Sequence, residues 1–243
     1  MFSTATITGP SGMAVEFRYP DGVHMRSHLQ EILGGHAYPT PATWHGYVPT
    51  VVVDIGANIG ASAIWFWSRA PKARIVCFEP SAENFAYLTS NMASCATAEL
   101  FPWGLFNREG GATMHLGAEQ CMQNSIVRSI ETGAKTEAIT LRRASSEFDR
   151  LGLDRISILK LDTEGCEVPI LEDLGTRLEA IDQIYVEYHS EEDRRAIDAM
   201  LSRRFMLAHA RATQIHRGVL LYVTRTLAES DPLHAAMRLA RPQ

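Results

Sequence analysis

The feature that most constrains how this chain can fold is a series of apolar, β-branched runs that alternate with helical stretches from residue 50 onward. Val51–Ile55, Arg74–Phe78 and Ile156–Leu161 are candidates for strands that are buried on both faces, which is typical of a parallel sheet. Strands that alternate with helices predict right-handed crossover connections. We therefore predict an α/β fold with a doubly wound, mostly parallel, seven-stranded Rossmann-like sheet.

The segments around these runs complete the predicted domain. Two apolar runs near the C-terminus, joined by a segment that contains Arg217-Gly218, predict a hairpin that gives the sheet an antiparallel edge. Ser81 and Ser190 are placed to cap the helices that follow them. Further strands are expected at Ala98–Phe101 and Ile184–Tyr188, helices at Ser62–Arg69 and Glu167–Leu174, and the hairpin strands at Phe205–Ala210 and Gly218–Thr224.

The first forty-five residues differ in pattern from the rest. A strand around Met13–Tyr19 leads into a turn, and a helix over Ser27–Leu33 ends at two glycines. We interpret residues 1–45 as an N-terminal cap, residues 46–226 as the main domain and residues 227–243 as a C-terminal tail.

Composition limits the classes of function that remain. Hydrophobic residues make up 46% of the chain and charged residues 21%, so the chain can bury a sizeable core. The formal net charge of -5 argues against a nucleic-acid partner. Four scattered cysteines without a CxxC pair disfavour zinc ribbons and disulfide scaffolds. No signal or membrane-spanning segment is evident, so we expect a cytoplasmic protein without a membrane partner, and a homodimer is left open.

A glycine turn follows the first strand of the main domain. Gly56 permits a tight turn and a close approach by a ligand, and Gly60 leads into the next helix. Asn58 stands where a dinucleotide-binding fingerprint has its second glycine, and asparagine tolerates left-handed backbone. Ligands of such sheets bind beyond the carboxyl ends of the strands. The turn therefore predicts a nucleotide-like cofactor at this edge.

Two carboxylates refine the identity of that cofactor. Glu79, at the tip of the second strand, is spaced to accept hydrogen bonds from ribose hydroxyls. Asp54 lies beside the glycine turn, where it would repel a pyrophosphate but favour a positively charged sulfonium. The charge of Asp54 and the missing middle glycine therefore favour S-adenosylmethionine over NAD.

Three blocks of the chain resemble the FkbM family of class I, S-adenosylmethionine-dependent methyltransferases. The resemblance spans about residues 51–189, in the order and spacing of the family, and its blocks are Val53–Gly60, Phe78–Phe85 and Leu159–Glu167. It implies a cofactor site that includes Pro80 after Glu79. It also implies that Asp162, within the third block, contacts the cofactor. Trp103, after the third strand of the main domain, is a candidate for stacking on the adenine.

Four further polar side chains gather at the ends of later strands. Asp162 and Glu164 follow the strand Ile156–Leu161, while Glu187 and His189 share one face of the next strand. A hydroxyl acceptor must lose a proton, and either Asp162 or His189 is a candidate general base. Asp162, Glu164 and Glu187 could instead hold Mg²⁺, or the acids could bind acceptor hydroxyls directly.

These observations predict a methyltransferase that acts on a small molecule. O-methylation of a hydroxyl on a sugar, polyketide or other natural product is the function that the resemblance favours. N-methylation of a peptide or amino group, an NAD-dependent oxidoreductase and a cofactor-binding module without turnover are the alternatives.

Glu31 and Tyr38 of the cap could close over the cofactor, whereas the cap histidines, including His28, have no ligand spacing. The excursion Gly110–Ala138 is expected to line the acceptor pocket with Met114, His115, Met122, Asn124 and Ser125.

Overall fold

The structure, a computed structural model, describes residues 2–9, 12, 14–40, 46–117, 124–126 and 135–229. The chain begins with an antiparallel hairpin of β1 (Phe2–Thr8) and β2 (Ala14–Pro20), followed by helix α1 (Val23–Leu33). The later strands are β3 (Val51–Ile55), β4 (Arg74–Phe78), β5 (Ala98–Phe101), β6 (Gly104–Phe106), β7 (Gly110–His115), β8 (Thr136–Arg143), β9 (Ile156–Leu161), β10 (Ile181–Tyr188), β11 (Phe205–Gln214) and β12 (Arg217–Thr224). The later helices are α2 (Ala61–Arg69), α3 (Ala82–Asn91), α4 (Ala144–Arg150), α5 (Glu167–Leu174), α6 (Glu191–Leu201) and α7 (Arg225–Glu229).

The main sheet confirms the predicted fold class. Its seven strands run in the order β11-β12-β10-β9-β3-β4-β5. The pairs between β10, β9, β3, β4 and β5 are parallel, and β12 is antiparallel to both of its neighbours. The hairpin of β11 and β12 forms the predicted antiparallel edge, with β11 outermost and β12 next to β10. The apolar β12 is almost entirely buried, whereas most of β11 is exposed, so burial places β12 in the interior.

Most predicted elements occur at the expected residues. The first four predicted strands of the main domain match β3, β4, β5 and β9, because each is a short apolar run between turn residues. Ser190 caps α6 as predicted, since its Oγ accepts a hydrogen bond from the Asp193 amide at 3.0 Å. Ser81 occupies the N-cap position of α3 but makes no side-chain cap bond. The small sheet of β6, β8 and β7 was not predicted.

The helices cover both faces of the sheet. Helices α1, α2 and α3 pack in one apolar cluster against one face, and α4, α5 and α6 pack in a second cluster against the other. Every residue of α2 from Ala61 to Ser68 is buried, since α2 lies between the sheet and α1.

None of the helices in the described part of the chain has the length and apolar character needed to cross a bilayer.

Hydrogen bonds fix the N-terminal segment to the main domain. The side chain of Asn91 accepts from the Arg18 amide at 2.7 Å and donates to the carbonyls of Arg18 and Ile59 at 2.9 and 2.7 Å. Trp65 Nε1 donates to the Tyr38 carbonyl at 2.9 Å. Because Ile59 belongs to the turn before α2, Asn91 ties β2 to the edge of the sheet where a cofactor was predicted.

Replacing Asn91 with alanine tests this attachment. Asn91→Ala leaves the buried Ile59 carbonyl and the part-buried amide and carbonyl of Arg18 without their partner, so we expect the free energy of unfolding to fall by about 2–3 kcal/mol. Urea denaturation followed by circular dichroism measures the change. Thr89→Ala is the matched control, because its exposed hydroxyl bonds only within α3. Equal unfolding midpoints for the two variants would contradict the role of Asn91.

Candidate active site

A cavity of about 420 Å³ opens at the C-terminal ends of β3, β4, β9 and β10. The turns after these strands form its floor, and α1 covers it with Met25, His28, Leu29 and Ile32. Its size falls within the range of small-molecule sites, and its position is that of the ligand crevice in open α/β sheets. The crevice predicted from the strand order is therefore present, and the N-terminal cap forms part of its wall.

The glycine turn after β3 is held against both neighbouring strands. The amides of Gly56 and Ala57 both donate to the Phe78 carbonyl at 3.0 Å. Gly56 has a φ of +77°, and a Cβ at this position would lie 1.9 Å from the carbonyl oxygen of Asp162. Only glycine fits here, so backbone rather than side chain faces the cavity at this point.

Asn58 and Gly60 have different positions relative to the cavity. Asn58 lines the cavity with a φ of +52°, the left-handed geometry expected for it. Gly60 does not line the cavity, because it faces α3, where a Cβ would lie 3.0 Å from Leu88. Gly60 therefore permits close packing of the turn against α3 rather than contact with a ligand.

Glu79 lines the cavity at the tip of β4 and is almost fully buried. Its two carboxylate oxygens accept hydrogen bonds from the amides of Asn58 at 2.8 Å and Ser81 at 2.9 Å. Burial raises the pKa of the Glu79 carboxyl to about 7, although these two bonds oppose the shift. Pro80 also lines the cavity, and so does Asn84, whose Oδ1 has no hydrogen-bond partner among the described residues.

Asp54 lies behind the cavity wall, which corrects the expectation that its carboxylate faces the ligand. It is fully buried, accepts a hydrogen bond from Ser62 Oγ at 2.5 Å, and forms an ion pair with Lys160 Nζ at 3.0 Å. Lys160 also donates to the Gly56 carbonyl at 2.6 Å and lies 3.9 Å from Asp162. Since Lys160 neutralises Asp54, that carboxylate fixes the glycine turn but presents no free charge to the cavity.

Trp103 also lies outside the cavity lining. Its ring packs on Phe101 with centroids 5.0 Å apart, and the Arg142 guanidinium lies 4.1 Å from its centroid. Both contacts hold it in the second apolar cluster, beside β5 and β8. The prediction that Trp103 stacks on a bound base is therefore not supported by its position, because Phe101 and Arg142 cover its ring.

Asp162 and Glu187 line the cavity and titrate as a pair. Although burial opposes its ionisation, the positive charges of Lys160 and His189 hold the pKa of Asp162 below its usual value. Burial, together with the charge on Asp162, raises the pKa of Glu187 well above its usual value. The two carboxyls therefore differ in acidity, and Asp162 is the more acidic of the pair.

Glu164 and His189 belong to an ion-pair network that includes Arg217. Glu164 has a φ of +56°, and this left-handed geometry directs its carboxylate to the guanidinium of Arg217. Arg217 also donates to Glu187 Oε1 at 3.0 Å. His189 lies behind this network, with Nε2 3.1 Å from Glu164 and Nδ1 3.5 Å from Glu167.

His189 cannot act as the predicted general base. Burial alone would lower its pKa, but the carboxylates of Glu164 and Glu167 raise it to about 10. The imidazole therefore carries a proton at neutral pH, and it does not line the cavity. Its role is to balance buried carboxylates, which leaves Asp162 as the surviving candidate of the two predicted bases.

The predicted metal set of Asp162, Glu164 and Glu187 is not the set that the structure gathers. Within the described residues, the cluster whose ligand atoms approach one another within 4.8 Å consists of Asp162, Glu164 and His189. Arg217 already places a cation against Glu164 and Glu187, and Nε2 of His189 faces Glu164 at 3.1 Å. The arrangement therefore does not fit a divalent metal.

The remaining predicted residues are divided between the cavity and its surroundings. Glu31, Tyr38, Met114 and Asn124 line the cavity, whereas His115 and Ser125 do not. Met122 lies outside the described residues.

Sequence reasoning missed three residues that shape the site, namely Arg217, Glu167 and His28. Pairing β12 with β10 would have placed Arg217 near Glu187. Glu167 accepts from the amides of Thr163 and Gly165, which its place at the start of α5 could have indicated. Nothing in the local sequence indicated that His28 reaches the cavity.

Comparison with known proteins identifies a domain of known type in this chain. Residues 54–218 match the family model described as Methyltransferase FkbM domain. The matched residues include the glycine turn, Glu79 and the cluster around Asp162, so the resemblance predicted from the sequence is confirmed. The match also favours the methyltransferase over the predicted alternative of an NAD-dependent oxidoreductase.

Curated relatives include two named methyltransferases and one synthetase. The 2-O-methyltransferase NoeI of Sinorhizobium fredii is 26% identical over 58% of this chain and 64% of its own length. The hexuronic acid methyltransferase AglP of Haloferax volcanii is 25% identical over 63% of this chain and 61% of its own length. The AMB antimetabolite synthetase AmbE of Pseudomonas aeruginosa is 29% identical over 59% of this chain and 8% of its length. In each case, the chain spans less than two thirds of the relative.

The buried charge of His189 predicts a pH dependence of stability. Its pKa is about 10 in the folded chain against 6.5 for the ordinary imidazole, so the folded state holds the proton more tightly. The stabilisation is complete below pH 6.5 and is lost as the pH rises through 10. At about 1.4 kcal/mol per pKa unit, we expect a loss of a few kcal/mol.

Urea denaturation of the wild type and of His189→Gln between pH 6 and 10 measures this loss. The wild type should lose stability more steeply than the variant over this range. His216→Gln, a change at an exposed histidine, is the control and should follow the wild type. Parallel curves for the wild type and His189→Gln would show that His189 is not a buried cation.

Proposed function

Because the chain belongs to the FkbM methyltransferase family, we propose that it transfers a methyl group from S-adenosylmethionine to a hydroxyl of a sugar or a related natural product. The observation that carries this proposal is the crevice beyond β3 and β4, where a left-handed glycine turn faces the buried carboxylate of Glu79. Exposed backbone and a carboxylate at adjacent strand tips suit a ligand that contains a ribose. The family match supports the same type of ligand.

The residues of the crevice fit such a donor. Gly56 keeps the turn free of side-chain atoms, and Glu79 has acceptor capacity for ribose hydroxyls beyond its two backbone bonds. Asn84 Oδ1, unpaired among the described residues, is a further acceptor at the wall. When bound, S-adenosylmethionine supplies an activated methyl group on a sulfonium. The carboxylates of Asp162 and Glu164 favour that positive charge.

Asp162 and Glu187 are suited to orient an acceptor hydroxyl. The ionised Asp162 can accept a hydrogen bond from the hydroxyl, and the carboxyl of Glu187, which Arg217 positions, is a second hydrogen-bonding group beside it. Fixing the acceptor oxygen in this way contributes through proximity and orientation. The names of NoeI and AglP, a 2-O-methyltransferase and a hexuronic acid methyltransferase, support a sugar hydroxyl as the acceptor.

We further propose that the reaction needs no divalent metal. Arg217 supplies a positive charge between Glu164 and Glu187, and the protonated His189 supplies another behind them. A metal bound to these carboxylates would have to displace both ion pairs. The alternatives of N-methylation and of binding without turnover remain as outcomes of the experiments below.

Glu79→Gln tests the donor site. The neutral amide accepts weaker hydrogen bonds from ribose hydroxyls, so we expect the dissociation constant for S-adenosylmethionine to rise about 10- to 100-fold. Because the pKa of Glu79 is about 7, wild-type affinity should increase between pH 6 and 8 as the carboxyl ionises, and the variant should lose this dependence. Isothermal titration calorimetry measures both effects.

Glu83→Gln, on the exposed face of α3, is the control, and equal affinities for the two variants would remove Glu79 from the ribose role.

A methyl-transfer assay tests the reaction itself. Radiolabelled S-adenosylmethionine is incubated with methyl glycosides of neutral hexoses and hexuronic acids, with and without EDTA. We expect label in an O-methyl product and the same rate after chelation. Label only on amino acceptors would favour N-methylation, and donor binding without transfer to any acceptor would favour a binding module. A rate that EDTA abolishes and Mg²⁺ restores would contradict the metal-free proposal.

A further inference from the structure

The cap contributes one titratable side chain that faces the strand-tip charges across the cavity. His28 lies in the middle of α1, is exposed, and lines the cavity together with Asp162 and Glu187. The charges that act on it are those of Asp162 and Lys160 from β9 and its turn, Glu164, and Arg217 from β12.

The cap helix is held over the cavity by a contact close to His28. Glu31, one turn further along α1, pairs with Arg211 of β11. After α1 in the chain, the Pro39 carbonyl accepts a hydrogen bond from the Tyr185 hydroxyl of β10 at 2.8 Å. His28 is therefore a fixed part of the cavity wall, opposite the residues that orient the acceptor.

Glu79 accepts hydrogen bonds from the amides of Asn58 and Ser81 at the tip of β4, and several other polar groups of the cavity are poor proton acceptors. Lys160 is a cation whose pKa is raised, because Asp54 outweighs the effect of burial. Burial raises the pKa of the Tyr38 hydroxyl well above its usual value and that of the Cys166 thiol to about 12, so both stay protonated. Glu187 accepts a hydrogen bond from Arg217, and Asp162 is held by cations that weaken it as a base.

His28 differs from these groups in its protonation state. Although part of His28 is open to solvent, the cavity wall desolvates the imidazole and lowers its pKa. The charges of Lys160 and Arg217 act in the same direction, and those of Asp162 and Glu164 oppose them. The imidazole is therefore neutral at pH 7, with a lone pair available. A base with a pKa near the working pH is the most efficient for general-base catalysis.

We propose that His28 is the general base that accepts the proton of the acceptor hydroxyl, a role that rests on the O-methylation proposed above. The acceptor oxygen forms a bond to the methyl carbon while the carbon–sulfur bond breaks and its electron pair remains on sulfur. The hydroxyl proton passes to the imidazole, and the resulting imidazolium releases it to water before the next turnover. Asp162 orients the hydroxyl and stabilises the imidazolium.

The direct test is the titration of the His28 ring. In protein labelled with ¹³C-histidine, the His28 resonance is assigned by its absence in His28→Gln and followed from pH 5 to 9 by NMR, with S-adenosylhomocysteine bound. We expect a midpoint below the ordinary value of 6.5. A ring that titrates at or above that value overturns the proposal, whatever the activity of the protein.

Kinetics of His28→Gln supply the second readout. With whichever hexoside or hexuronoside the wild type methylates, we expect kcat to fall about 100- to 10,000-fold, while the dissociation constant for S-adenosylmethionine stays within about two-fold. The variant should also lose the decline of rate toward acid pH, and imidazole should restore part of the rate of His28→Ala. His36→Gln, an exposed cap histidine outside the cavity, is the matched control.

The outcomes distinguish the two proposals. A His28→Gln variant with the full wild-type rate and an unchanged pH profile overturns the role of His28 alone. A wild type that binds S-adenosylmethionine but methylates no hydroxyl acceptor overturns the proposed function, and the role of His28 with it.

Discussion

The buried ammonium of Lys160 is the interaction on which the site depends. Its three oxygen neighbours belong to Asp54 on β3, to the carbonyl of Gly56, and to Asp162 after β9. Desolvating a lysine is costly, and removing one partner of a buried ion pair costs more than the pair contributes. One cation therefore sets the position of the glycine turn and of the acceptor carboxylate together. In the proposed reaction, this shared cation links the donor and acceptor sides of the crevice, which favours the alignment that an in-line transfer requires.

The neighbouring cations and burial also give the acidic residues of the site different roles. His189 and Arg217 hold Glu164 in place. The charges of Lys160 and His189 lower the pKa of Asp162, whereas burial and the charge on Asp162 raise that of Glu187. A cluster with this many carboxylates suggests a metal site when it is read from the sequence alone. Arg217 of β12, which is distant in the chain, changes that interpretation. Its guanidinium lies where a metal cation would otherwise balance the carboxylates.

The sequence allowed prediction wherever local pattern and topology were sufficient. The parallel strands were found because each is a short apolar run, and Glu79 and Asp162 were found because carboxyl ends of parallel strands meet at one edge. The errors concern side-chain direction. Asp54 turns inward to Lys160, Trp103 packs under Arg142, and His189 lies behind Glu164. Each partner is remote in sequence, so no periodicity or spacing could have identified it.

The cap shows how folding and the site are coupled. Helix α2 is buried on all sides, and its outer face, with Trp65, has no cover other than the cap within the described chain. An apolar helix left open on one face would expose a large hydrophobic patch, so covering α2 is a requirement of stability. The helix that meets this requirement is α1, and it also carries His28 and Glu31 over the cavity. The contacts that bury α2 therefore fix the position of the cavity wall, and a proton acceptor placed on α1 gains its orientation from the core of the domain.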